Sequence, residues 1–68
     1  MATRNLALAV ALLEADLSQV ELAERAGLHE SLLSMIVRGR RQPTSAQRTA
    51  IARVLRRPIR ALFPMTED

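Results

Sequence analysis

Ten arginines and one histidine hold most of the chemistry available to this 68-residue chain, and every basic residue is Arg. The Arg side chain is a planar, permanently charged fork of donors that matches phosphate oxygens and the edge of guanine. Its distribution is uneven. Residues 1–24 set Arg4 against Glu14, Asp16, Glu21 and Glu24, a net of −3. Residues 25–60 set nine Arg against Glu30, a net of +8, and the last eight residues add Glu67 and Asp68. The formal total of +3 therefore hides a strongly basic second half, whose implied partner is a polyanion. A GC-rich genome explains the choice of Arg over Lys equally well, so the asymmetry is the stronger sign.

Other chemistries are excluded by what is missing. With no cysteine there is neither a disulfide framework nor a thiolate metal site, and a single histidine, His29, rules out a multi-histidine one. One candidate base in so short a chain leaves little room for a nucleophile–base constellation. No enzyme activity, cofactor or metal is expected. The apolar run Leu6–Leu13 resembles the centre of a signal peptide, but Glu14 and Asp16 stand where a small neutral cleavage site belongs. It is also far short of the roughly 20 residues that span a bilayer. A cytoplasmic protein with no membrane partner is the expectation.

The elements that must position these groups read as helices. Apolar residues make up 49% of the chain but only Phe63 is aromatic, so the core is built from Leu, Ile, Val, Ala and Met, which favours packed helices over strands. A first helix is expected from Thr3 or Arg4 to Glu14 or Ala15, with Thr3 as cap and Leu6, Val10, Leu13 and Leu17 as its buried stripe. Leu8 and Leu12 form a second apolar line beside it. Ser18-Gln19-Val20-Glu21 is a capping box, flanked by the Leu17–Leu22 staple, and opens a second helix that Gly27 ends. A third helix runs from about Glu30 to Arg38 with Leu33, Ile36 and Val37 inward, and Gly39 follows it. Thr44-Ser45-Ala46-Gln47 is a second capping box, opening a helix to about Leu55 with Ala50, Ile51, Val54 and Leu55 inward. Pro58 starts a short fifth turn to Leu62 or Phe63, and Pro64 ends it. One domain over residues 1–64 is expected, with a flexible tail at 65–68.

Two short helices, 18–26 and 29–38, joined by a tight glycine turn and followed by basic residues, fit a helix–turn–helix. Its steep crossing needs a small residue at the contact, which Ala23 supplies, and its turn needs the positive φ open to Gly27. The stretch Leu17–Phe63 resembles the Cro/CI-type, or XRE, helix–turn–helix family. The motifs that carry the likeness are Leu17-Ser18-Gln19, Leu22-Ala23, Gly27, Ser31 with Ser34 and Ile36, and Gly39-Arg40-Arg41-Gln42-Pro43. The resemblance implies an all-α fold of five helices around one small core, with the third helix in the major groove of double-stranded DNA.

By that likeness the exposed start of helix three reads bases, through His29, Glu30, Ser31, Ser34 and Met35. Glu30 equally suits the positive end of its own helix, and His29 replaces the family's usual capping Ser. Leu32 and Met35 are apolar where the family is usually polar; either a thymine methyl or a partner protein suits them. Gln19, Thr44 and Ser45 stand at helix N-termini facing phosphate, where free N–H groups attract anions. Arg38, Arg40 and Arg41 flank the end of helix three and meet the backbone. Arg56 stands where the family often has Gly, so the turn into helix five is expected to be strained.

The function implied is a sequence-specific transcriptional regulator, a repressor by preference, working as a homodimer on an inverted repeat. The resemblance puts the dimer contact near Arg57, Pro58, Ile59 and Phe63, although Ile59 and Phe63 also suit the core, which is the preferred place for Phe63. The alternative is an interaction module, such as an antitoxin binding its toxin or a partner of an anti-repressor. The second line Leu8–Leu12 and the apolar pair Leu32–Met35 point that way.

Overall fold

The computed structural model describes residues 4–64, and within them five helices and no strand. They are α1 (Leu6–Ala15), α2 (Gln19–Ala26), α3 (Glu30–Val37), α4 (Ser45–Leu55) and α5 (Ile59–Leu62). α2 packs on both α3 and α4, while α1 closes the far side against α3, α4 and α5. The most fully buried large side chains are Leu8, Leu22, Leu33, Ile36, Ile51 and Leu62, one or two from every helix. Burying a Leu or Ile side chain stabilises a fold by roughly 1.5–3 kcal/mol, so this small set carries much of the stability. Among the described residues no polar side chain is buried.

Each start and stop follows from the residues at it. Both capping boxes form. Ser18 Oγ accepts from Glu21 N–H at 3.1 Å while Glu21 Oε1 accepts from Ser18 N–H at 2.9 Å. Thr44 and Gln47 repeat the same distances. The helices α1 to α4 all close in the same way at their C-termini. The second residue past the helical run, or the third in α3, donates five residues back: Leu17 to Leu12, Leu28 to Ala23, Arg40 to Met35 and Arg57 to Ala52. That closure needs a left-handed residue. Gly27 and Gly39 take it at φ 74° and 77°, but Asp16 and Arg56 are forced into it at φ 59° and 57°. Arg56 therefore holds the strained turn that its replacement of Gly implied.

Three expectations need correcting. α1 is capped by Asn5, whose side chain accepts from Leu8 N–H at 3.0 Å; the expected cap, Thr3, lies outside the described residues, as does the tail at 65–68. The same Asn5 donates its Nδ2 to the Leu62 carbonyl at 2.9 Å and its backbone N–H to the Val37 carbonyl at 2.8 Å, tying α1 to α5 and α3. Second, the faces of α1 are exchanged. Leu8, Ala11 and Leu12 are buried, whereas Leu6, Val10 and Leu13 of the expected stripe are 65%, 48% and 80% exposed. Leu17, past the helix end, is half-buried against the core. Nine of the ten residues of α1 are apolar, so periodicity had no polar face to orient it. Third, Phe63 is buried in the core and is not free for a second copy. The remaining inward positions agree, with Ala52 buried in α4 where Ala50 was expected.

Candidate nucleic-acid interface

The outward face of α3 is set by the inward one. Leu33, Ile36 and Val37 fix one side in the core. With 3.6 residues per turn, Ser31, Ser34 and Met35 then share an arc of about 100° on the opposite side. Ser31 and Met35 are exposed and Ser34 is half-exposed; Glu30 and His29 extend the exposed surface to the helix N-terminus. His29 occupies the cap position without any side-chain cap hydrogen bond, so its ring is not spent on its own helix. Leu32 is different: it packs against the core and leaves Met35 as the exposed apolar side chain of this surface. The expected pair Leu32–Met35 is thereby split.

Basic groups border this face. Arg38, Arg40 and Arg41 are all exposed just past the α3 terminus. Their loop is held at both ends. Gly39 and Arg40 donate back to Ile36 and Met35 at 3.1 and 2.9 Å, and Arg48 Nη1 donates to the Pro43 carbonyl at 3.0 Å, with Pro43 buried. A loop ordered in advance loses less entropy when it engages a ligand. Arg48 was not singled out from the sequence; its role depends on the path of the loop, which residue types and spacing alone do not give.

The N-termini of α2 and α4 supply a second kind of donor. In each, the capping box occupies the N–H groups of the cap and of the third helical residue. The N–H groups of Gln19 and Val20, and of Ser45 and Ala46, are left without a partner inside their helices. Gln19 is half-exposed and Thr44 and Ser45 are exposed, as an anion contact requires. The Thr44 N–H is taken by Gln47 and its hydroxyl oxygen accepts from the Gln47 N–H, which leaves the hydroxyl proton and the Ser45 and Ala46 N–H groups as donors. The two ends differ in charge. The Ser18 backbone N–H, the Ser18 side chain and the nearby Arg25 charge hold the Glu21 carboxyl below its ordinary range, so α2 opens on an anion. α4 opens on the neutral Gln47, so its N-terminus repels an anion less than that of α2 does.

Among the described residues no cluster of potential metal ligands occurs, and no helix is long and apolar enough to cross a membrane. A family model described as helix-turn-helix matches residues 8–62, from α1 to the end of α5. No curated protein matches the chain.

Proposed function

Because this chain belongs to the Cro/CI-type (XRE) helix–turn–helix family of DNA-binding regulators, we propose that it is a sequence-specific transcriptional repressor. It reads an inverted-repeat operator with α3 in the major groove and works on DNA in the cytoplasm. The observation that supports this most is the surface around α3. His29, Glu30, Ser31, Ser34 and Met35 are the base-reading residues, framed by the phosphate-binding Arg38, Arg40 and Arg41. Glu30 accepts from cytosine N4, the serines serve several bases, and Met35 meets a thymine methyl. Gln19, Thr44 and Ser45 hold the backbone from the flanking helix ends. No catalytic step is assigned.

One α3 contacts too few base pairs to select a genomic site, so two copies bind together on one face of the duplex. Half-site centres then lie about one helical turn apart, roughly 10 base pairs. A second reading, with a toxin or an anti-repressor as the main partner, draws on exposed Leu6, Val10 and Leu13 rather than on buried Leu8 and Leu12. A duplex titration separates the two. Binding that weakens steeply with salt, and that loses cooperativity when about five base pairs are inserted between half-sites, is the expected result. Salt-independent binding, or affinity that survives the insertion, contradicts the proposal.

A further inference from the structure

α1 is apolar almost all round, yet the fold covers one side of it. Leu6, Val10 and Leu13 recur at i, i+4 and i+7, which places them within about 60° of one another on the outer side. They form a strip two turns long, about 10 Å. Single exposed apolar residues are ordinary, but a contiguous strip of large ones marks an interaction surface. None of them is a proposed DNA contact.

We propose that this strip is the interface between two copies of the chain, with the two α1 helices packed antiparallel across a two-fold axis near Val10. The charge pattern selects both partner and direction. Arg4 stands just before the strip and Glu14 and Asp16 stand at its end, all exposed. In an antiparallel pair with Leu6 opposite Leu13, Arg4 of each copy falls within one turn of Asp16 of the other, and of Glu14, which already pairs with Arg57 of its own chain. The helix dipoles also oppose favourably. A parallel pair would set Arg4 against Arg4 and Glu14 against Glu14.

The same reasoning disfavours a contact centred on the α4–α5 turn. Arg53, Arg56, Arg57 and Arg60 are exposed there, and a two-fold axis through them brings like charges together. Of its two apolar residues Phe63 is in the core, which leaves Ile59 alone exposed. α5 does lie along α1, with Arg57 bonded to Glu14 at 2.7 Å and Leu62 to Asn5 at the other end. Arg57 therefore stands beside the Glu14 end of the strip. Three large side chains per copy cover a few hundred Å², well below the ~800 Å² per partner of a stable interface. The free dimer is accordingly weak and concentration-dependent.

The proposal rests on the two-copy reading above only in naming a surface for it, and its test runs first without DNA so that either can fail alone. In sedimentation equilibrium, the wild-type mass should rise from 7.6 kDa towards twice that value with concentration. Leu13→Glu, at an 80% exposed position, should raise the dissociation constant by roughly tenfold or more with an unchanged melting curve. The chain has no cysteine, so single replacements report geometry directly. Under mild oxidation Val10→Cys should form a disulfide dimer. Leu13→Cys should not, because the paired positions lie about 10 Å apart along the axis, beyond the ~7 Å limit for a bridge. A wild-type mass that stays at one chain through millimolar concentration overturns the proposal, as does a Leu13→Glu protein that still dimerises. Cross-linking of both cysteine variants contradicts the antiparallel arrangement. Loss of DNA binding in a protein that still pairs through α1 would instead count against the operator reading.

Discussion

α1 and α3 are short helices of ten and eight residues that each bury three side chains and turn another face outward. The outward faces have nothing in common. That of α3 offers Ser31, Ser34 and Met35 between a bare N-terminus and three arginines. That of α1 offers Leu6, Val10 and Leu13, with a single polar side chain, Glu14, at the end of the helix. The first can distinguish donors and acceptors in a groove; the second can only exclude water against another apolar surface. Charge follows the same division, since the basic residues lie after Gly27 apart from Arg4 and Arg25. The outward residues, rather than the helices as such, decide what each part of the fold meets.

The largest effect that would break this comparison lies within α1. Leu8→Ala should destabilise the protein by about 2–5 kcal/mol, because Leu8 is fully buried, while Leu13→Ala should change stability by less than about 0.5 kcal/mol. Urea unfolding of both variants checks it. Equal losses would mean that the two faces have been assigned the wrong way round. On the α3 side, Arg40→Ala and Arg41→Ala should each weaken binding to all duplexes alike and reduce the salt slope by about one. An altered sequence preference at constant slope would make them base readers.

Smaller effects test how the helices end. Arg56→Gly relieves a left-handed Arg and should stabilise by about 1 kcal/mol in thermal melts. Gly27→Ala should cost a similar amount by conformation alone, since nothing stands within 4 Å of the added Cβ. The smallest effect concerns the two capping boxes. The Glu21 pKa is lowered in the folded protein, so its contribution to stability is present above the unfolded carboxylate pKa and lost as pH falls through the folded value. Between about pH 5 and 3 the wild type should lose slightly more stability than Glu21→Gln, whose box, like that of Thr44 and Gln47, does not titrate. Parallel pH profiles would show that the Glu21 charge contributes nothing.

Much of the fold is legible in the sequence because its punctuation is local. Ser18 with Glu21, Thr44 with Gln47, and the two glycines each act within a few residues, and the structure places them as their types require. Leu33, Ile36 and Val37 are readable because polar residues share their helix. What fails in α1 fails for a physical reason: a helix with one polar residue in ten has no internal sign of which side faces water. Its orientation is set by α3 and α5, through Asn5 and its bonds to Val37 and Leu62, thirty and more residues away in sequence. Asn is as strong a cap as Thr, so Asn5 itself was open to reading. The core position of Leu32 and the Arg48–Pro43 bond depend on tertiary placement and were not.

The central claim is that the outward face of α3 reads base pairs while the arginines around it only hold the backbone. Its most direct measurement is selection from a pool of random duplexes at fixed salt, repeated for Ser31→Ala, Ser34→Ala and Met35→Ala. Each variant should keep its melting temperature and relax or change preference at particular positions, by roughly 1–3 kcal/mol where a good contact is lost, symmetrically in both half-sites. Selected sequences identical to those of the wild type in all three variants, or losses that merely follow thermal stability, would contradict the claim.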